Sequence, residues 1–403
     1  MQILRLQTCI HGRPMSAPRV VLNQKASKLA SKGQAWFFGD DFQDGEQPDG
    51  IVRISSERGF NFGLGFHSSQ SRIRVRRCGT WPGDDVPDSA SFFAERLGAA
   101  LAQREHLNEE PRGVRLVHGE ADLLPGLVVD RYDRCLVLQS TSRVIENSLS
   151  SIVPFLREKV GAISILARND LAVRRREDLP EEVRLLDGRR VEETTIQEHG
   201  VRHTVRLFTG QKTGFYLDQR LARRRVMELA RGREVADLCS YQGAFSLAAL
   251  QGGAESVVAV DVSEDALRLA RDAVDNSALS TECADVFDWL RQARTEERRF
   301  GLVILDPPAF AKSRREVDGA LGGYRDINRL ALRILAPGGY LLTCSCSHHV
   351  KPSMFEGVLR QAAAELPFPV WLRERIAAGE DHPVALNLPE SEYLKVVLLQ
   401  RAP

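Results

Sequence analysis

The chain has 403 residues, 43% of them hydrophobic, with 55 Lys and Arg against 54 Asp and Glu. That length exceeds what one hydrophobic core organises, so two or three domains are expected. The near-neutral balance gives no global sign of a polyanionic partner, and no stretch is apolar over the roughly 20 residues that span a bilayer. The opening Met1–Ser16, carrying Arg5, His11 and Arg13, lacks the apolar centre of a signal peptide. A cytoplasmic protein with no membrane contact is the expectation.

Residues 1–80 hold 12 Lys and Arg against six acids, an excess of +6 that suits a polyanion or simply a solvated basic surface. Here Val20–Leu22, Gly50–Ser55 and Ser71–Arg77 have strand character, Lys25–Ala30 reads as a short helix, and Gly63, Gly65 and Ser68-Ser69 read as turns. Trp81–Asp88, rich in Pro, Gly and Asp, reads as a linker. A helix follows over Ala90–Gln103. Strands are expected at Val114–Val117, Leu127–Arg131, Leu136–Gln139 and Ala162–Ala167, with a helix over Ile152–Lys159, which makes an α+β unit. From Thr194 short apolar runs alternate with amphipathic helices. The pairs are Val235–Leu238 with Phe245–Leu250, Ser256–Val260 with Glu264–Asp275, Leu302–Leu305 with Tyr324–Leu335, and Tyr340–Cys344 with Pro352–Ala364. Such alternation predicts a mostly parallel, doubly wound α/β sheet of Rossmann-like type. The domains expected are 1–82, 83–193 and 194–403.

Four strand ends in this last region carry polar residues in register. Asp237-Leu238-Cys239-Ser240-Tyr241-Gln242-Gly243 runs from a strand through a tight turn into a helix, where Gly243 lets backbone approach a ligand. Asp261 closes the next strand about 20 residues on, a spacing suited to the two ribose hydroxyls of an adenosyl ligand. Asp285 ends a third strand and suits an adenine amine. Each of these is also what an ordinary turn or helix cap would carry. The strand Leu302–Leu305 ends in Asp306-Pro307-Pro308, a stiff loop able to hold a planar base while Asp306 bonds a ring nitrogen.

The strand after Pro337-Gly338-Gly339 ends in Cys344-Ser345-Cys346, whose two cysteines should share one face. A thiolate added to C6 of a pyrimidine turns C5 into a nucleophile able to take an activated methyl group. The seven cysteines, Cys9, Cys78, Cys135, Cys239, Cys283, Cys344 and Cys346, are odd in number and scattered, which argues against a disulfide framework. Cys344 and Cys346 with His348 and His349 find no second pair, so no metal is expected.

In this set the chain resembles the class I RNA methyltransferases that form 5-methylcytidine in large-subunit ribosomal RNA. The resemblance rests on Thr213-Gly214-Phe215-Tyr216-Leu217-Asp218-Gln219-Arg220, Asp237 to Phe245, Val260-Asp261, Asp306-Pro307-Pro308, Tyr324 to Asn328, Ser345-Cys346-Ser347, Leu388-Pro389-Glu390 and Tyr393-Leu394-Lys395. Gly65 to Arg76 is similar to the last strands of that family's PUA RNA-binding domain. The resemblance implies S-adenosylmethionine as cofactor and ribosomal RNA as partner, with a homodimer as the candidate assembly. It implies Cys346 as nucleophile, with Asp306 and Cys344 beside it. The expected cofactor set is Phe215, Tyr216, Asp218, Asp237, Cys239, Tyr241, Gly243, Asp261, Val262, Asp285, Val286 and Asp306. Lys25, Lys28, Arg72, Arg74 and Arg76 are expected on RNA. Pro308 stands where many RNA 5-methylcytosine enzymes carry a second, product-releasing cysteine, which leaves the release base unassigned. Two other readings stand beside this one: an N-methyltransferase acting on an exocyclic base amine, and an inactive RNA-binding protein.

Overall fold

Short apolar runs between Gly, Pro and Asn breaks form three sheets and a hairpin in the computed structural model, which describes residues 18–43, 49–82, 85–107, 113–274, 277–311 and 313–403. The expectations on Met1–Ser16 with Cys9, on Asp44 and Glu46, on Gly83 and Asp84 of the linker and on Asp275 fall outside the described residues.

The first sheet has β1 (Arg19–Leu22), β2 (Trp36–Phe37), β3 (Gly50–Ser56), β4 (Asn61–His67) and β5 (Val75–Arg77), in the order β1-β3-β4-β5-β2. Helix α1 (Gln24–Ala30) covers it, capped by Asn23, whose side chain accepts from the Ala26 N–H at 2.9 Å. Two expectations fail here. Gly63 and Gly65 lie inside β4 rather than in turns, because their neighbours leave no room for a side chain. A Cβ on Gly63 would overlap the Gly79 carbonyl, and one on Gly65 would fall 2.6 Å from Val75 Cγ1. Ser71–Arg74 is not strand either: the Ser68 N–H donates to the Arg74 carbonyl at 3.0 Å and closes these residues into the β4–β5 connection.

The second sheet has β6 (Gly113–His118), β7 (Leu127–Tyr132), β8 (Cys135–Ser140), β9 (Ser164–Asn169) and β10 (Glu182–Gly188), in the order β10-β9-β8-β7-β6. All neighbours are antiparallel except β8 and β9, which α3 (Arg143–Asn147) and α4 (Leu149–Val160) join in parallel. Helix α2 (Ser89–Ala102) buries Phe92, Phe93 and Leu97 in a core shared with Leu64 and Phe66 of the first sheet and with Cys78 just after it. Trp81 of the expected linker also packs on Phe92, at 5.7 Å between ring centroids. The hairpin β11 (Glu193–Glu198) and β12 (Val201–Arg206) joins Tyr132 and Leu166 of the second sheet to Phe215 and Leu217 through Ile196 and Val205.

The third sheet has β13 (Glu234–Leu238), β14 (Ser256–Asp261), β15 (Leu279–Cys283), β16 (Phe300–Leu305), β17 (Leu335–Ser345), β18 (Val370–Ile376) and β19 (Lys395–Arg401). Its order is β15-β14-β13-β16-β17-β19-β18, parallel except for β19, which is antiparallel to both neighbours. The pleat sorts its side chains. Val303 and Leu305 face α8 (Val286–Thr295), α9 (Val317–Arg333) and α10 (Pro352–Ala364), while Leu302, Ile304 and Cys344 face α5 (Arg220–Leu229) and α6 (Ala244–Gln251). Strand order reverses between β13 and β16, where open α/β sheets bind ligands beyond the carboxyl ends of their strands. Helix α7 (Glu264–Asp272) links β14 to β15. Among the described residues no helix is long and apolar enough to cross a membrane.

Buried ion pairs tie these units together. Arg104 at the end of α2 bonds both oxygens of Asp122 at 3.0 and 2.8 Å and also reaches the Asp381 carbonyl at 3.3 Å. Removing one member of such a pair strands a buried charge. Asp122→Ala is therefore expected to lower stability by about 3–5 kcal/mol, measured as the shift of the urea unfolding curve.

Candidate functional site

The chemistry-bearing residues collect where β13, β14, β16 and β17 end. After β13 the chain turns through Cys239, Tyr241 and Gly243, with φ of 60°, 49° and 72°. Gly243 is required twice over: its φ is positive, and a Cβ there would fall 2.8 Å from Ala270 Cβ of α7. Asp237 is fully buried, and its Oδ2 accepts from the Ser246 N–H at 2.9 Å and hydroxyl at 2.6 Å, pinning the first turn of α6. Burial, with repulsion from Asp306 and Asp261, raises its carboxyl to about 7 against the Ser246 bonds. Asp261 accepts from the Tyr241 N–H and the Ser263 N–H, both at 2.9 Å, so it fixes the first turn and the entry to α7 while each oxygen keeps a free lone pair. Val262 beside it is exposed. Asp285 caps α8, its Oδ1 accepting from Phe287 and Asp288 N–H groups at 2.9 and 3.2 Å, with Val286 buried behind it.

Asp306 follows β16 and accepts from Gln219 Nε2 at 3.1 Å. Burial, then repulsion from Asp218, raises its carboxyl to about 6, with Lys212 and hydrogen bonds from Cys344 and Gln219 opposing. Cys344, opposite Val396 of β19, is fully buried beside Leu342, and burial pushes its thiol well up. Cys346 lies past the end of β17 and is partly exposed, so the strand pleat does not carry it. Its thiol is raised by burial and by Asp306, and drawn down by Lys212 and Lys395. Ser347 anchors the segment, its hydroxyl contacting the Ala311 N–H at 3.3 Å and the Tyr324 hydroxyl at 3.0 Å.

The segment before α5 forms the opposite wall. Lys212 Nζ lies 2.8 Å from Asp218 and 4.2 Å from the centre of the Tyr216 ring, and the Tyr216 hydroxyl donates to Gln211. Tyr216 meets Tyr241 edge-on at 6.1 Å. Asp218 also accepts from the Tyr393 hydroxyl, and despite burial Lys212 and His382 hold its carboxyl well below the usual range. The side chain of Phe215 departs from its expected place on the cofactor. Its ring turns into the core, 4.9 Å from His203 and 4.7 Å from the Arg223 guanidinium, because Tyr132 holds its backbone from behind. Gln211, Lys212, Gln219, Tyr393 and Lys395 enter the site without having been singled out as site residues. Four of them sit in or against the two matching runs Thr213–Arg220 and Tyr393–Lys395, which was the available signal.

The buried Oδ1 atoms of Asp218 and Asp237 have no hydrogen-bond partner. With the Cys239–Gly243 turn before α6 and Asp261 at the end of β14, these acids fit a ligand bearing hydroxyls, an ammonium and a positively charged sulfur. In the first domain Lys25, Lys28 and Arg72 are exposed. Arg74 folds back onto the Ser69 carbonyl. Arg76 does not face outward as expected: it is held by Glu120 at 3.7 Å and Glu177 at 3.5 Å, both from the second sheet's region, where opposite charge draws it in.

A profile described as S-adenosylmethionine-dependent methyltransferase matches residues 158–393, and one described as PUA-like domain matches residues 20–78. Similar proteins named ribosomal RNA large subunit methyltransferase I include that of Photobacterium profundum, 37% identical over 93% of this chain and 97% of its own. That of Serratia proteamaculans is 35% identical over 94% and 98%. Among solved structures, a SAM-dependent methyltransferase from Streptococcus mutans superposes with a TM-score of 0.81 at 21% identity, over 95% of this chain and all of that one. A methyltransferase complexed with SAH superposes with a TM-score of 0.83 at 22% identity, over the same shares. These two speak for the fold alone. The chain belongs to the ribosomal RNA large subunit methyltransferase I family, S-adenosylmethionine-dependent methyltransferases with a PUA-like N-terminal domain.

Proposed function

We propose that this protein methylates C5 of a cytidine in large-subunit ribosomal RNA, with Cys346 as the nucleophile. The observation that carries the reading is the pairing of a partly exposed thiol, Cys346, with a partly buried carboxyl, Asp306, at the ends of neighbouring strands β17 and β16.

S-adenosylmethionine, when bound, supplies a methyl group on a sulfonium centre. The residues that would hold it are Asp261 at the ribose, Asp285 and Val286 at the adenine, and the Cys239–Gly243 turn with Tyr216 and Asp218 at the amino-acid end. Asp237 supports that turn from beneath. The target base must leave its stack, since C5 and C6 are reached only from the ring face. Asp306, half protonated near pH 6, donates to cytosine N3 and draws electron density from the ring. The Cys346 thiolate then adds to C6, which makes C5 nucleophilic. Once C5 carries the new methyl group, loss of its proton restores the C5–C6 double bond and expels Cys346. Lys25, Lys28 and Arg72 contact phosphates and position the RNA without reading its sequence.

The N-methyltransferase reading asks the aromatic residue after Asp306-Pro307-Pro308 to stack on the base. Here Ala309 intervenes, and Phe310 packs on Tyr324 at 4.6 Å between centroids and stacks on Phe287 at 6.5 Å, which favours chemistry at carbon.

Cys346→Ala is expected to abolish methyl transfer and leave cofactor affinity by calorimetry unchanged. Nucleoside mass spectrometry of ribosomal RNA from a deletion strain, with the wild-type or variant gene restored, reads the product. Methyl found on nitrogen, or full activity in the variant, overturns the reading. The Asp306 carboxyl is raised in the fold, so its protonated form is the one that folding favours. Its contribution to stability is present below about pH 4 and is lost as pH rises through about 6. Relative to Asp306→Asn, the wild type should thus lose roughly 1–3 kcal/mol between pH 4 and 7, measured by urea unfolding. Lys25→Ala with Lys28→Ala should weaken RNA binding alike for all sequences and lower the salt slope by about 2, measured by titrations at several ionic strengths.

A further inference from the structure

Strands β17 and β19 pair with Ser345 opposite Lys395, which sets this lysine beside the residue preceding Cys346. Lys395 is buried, and its Nζ donates to the Ser347 and Tyr393 carbonyls, both at 2.7 Å. An ammonium has three protons, so one remains after these two bonds. No carboxylate forms an ion pair with Lys395 among the described residues, and a buried cation without a counter-charge is costly. Burial accordingly draws its pKa down to about 8, while Cys346 and Glu392 pull it back up. Lys212, the other cation facing Cys346, is engaged by Asp218 at 2.8 Å and lies over Tyr216. The remaining titratable groups that face Cys346 are Asp306 after β16, Cys344 of β17, Asp218 and Tyr216 before α5, and Tyr324 of α9. Those facing Lys395 are Cys346, Glu392 and His348.

We propose that Lys395 is the counter-ion of the Cys346 thiolate, held in place by the Ser347 and Tyr393 carbonyls. It is a positioning residue, and the proposal rests on Cys346 being the nucleophile. On ionisation the S–H bond breaks, the electron pair stays on Sγ, and the proton passes to water or to the amine of a neutral Lys395. At the end of the cycle the same ammonium receives the sulfur as it leaves C6.

The test uses the full chain without RNA or cofactor. Alkylation of Cys346 by iodoacetamide is followed by peptide mass spectrometry from pH 6 to 10. Lys395→Met should raise the apparent pKa of the thiol by about one unit or more, slowing alkylation at pH 8 about tenfold. Lys395→Arg, which keeps the charge, should retain the wild-type profile. Superposable profiles for wild type and Lys395→Met overturn the proposal. The reciprocal measurement needs no Lys395 variant to fold: Cys346→Ala should lower the pKa of Lys395, read from the pH dependence of its acetylation, and an unchanged value also overturns the proposal. Adduct formation by the wild type on RNA containing 5-fluorocytidine reports on the nucleophile alone, so failure of that reading is distinguishable from failure of the ion pair.

Discussion

The site is organised around a cluster of buried and half-buried carboxyl groups. Asp237, Asp261 and Asp306 stand at the ends of three adjacent strands, and Asp218 closes on them from the segment before α5. Burial, and then repulsion between neighbouring carboxylates, disfavours ionisation of Asp237 and Asp306. The protein answers differently at each. Asp261 is given two backbone N–H groups, Asp218 a lysine and a tyrosine hydroxyl, and Asp306 a glutamine amide. Asp237 receives Ser246 and keeps one oxygen bare. Such an arrangement costs stability.

The second domain is part of this construction. Arg115 of β6 grips Asp130 of β7 through two bonds at 2.7 and 2.8 Å, and Asp130 in turn accepts from the Thr213 hydroxyl. Tyr132 holds Thr213 and both backbone groups of Phe215. The wall that carries Lys212, Tyr216 and Asp218 is thereby fastened to a different sheet from the one that carries Asp261, Asp306 and Cys346. Asp381 completes the joint, accepting from the Arg115 N–H at 3.0 Å and from Arg220 at 3.3 Å. Two sheets thus hold the two walls of the site.

What the sequence made legible follows from how far each signal travels along the chain. The alternation of apolar runs and amphipathic helices is local, and it located β13, β14, β16, β17 and the helices α6, α7, α9 and α10, while α8 went unread. The acids at strand ends were readable because a strand end is itself a local event. Gly63 and Gly65 misled because a glycine marks a turn and a close approach equally well, and only the partner strand distinguishes the two. Phe215 misled because a run of matching residues does not say which side chain turns inward. Arg76 looked free because Glu120 and Glu177 lie far along the chain. Gln219 reaches Asp306 across 87 residues and Lys395 reaches Ser347 across 48, so no spacing rule links them.

The same geometry separates the two cysteines. A nucleophile must meet the face of a base that enters from solvent, so its sulfur cannot stay within the strand packing. Cys344 is the last cysteine inside β17, locked beside Leu342 and reached by no solvent. Two residues on, the strand has ended, and Ser347 and Tyr324 hold the chain in a defined path while Cys346 stays partly open. An apolar strand end alone would leave this sulfur protonated, because burial and Asp306 both oppose the thiolate. The antiparallel return of β19 brings Lys395 to the same level as Ser345, and Lys212 and then Lys395 oppose that effect without cancelling it. The one described strand that breaks the parallel pattern of the sheet is therefore the one that brings Lys395 onto the Ser345–Ser347 segment that carries Cys346.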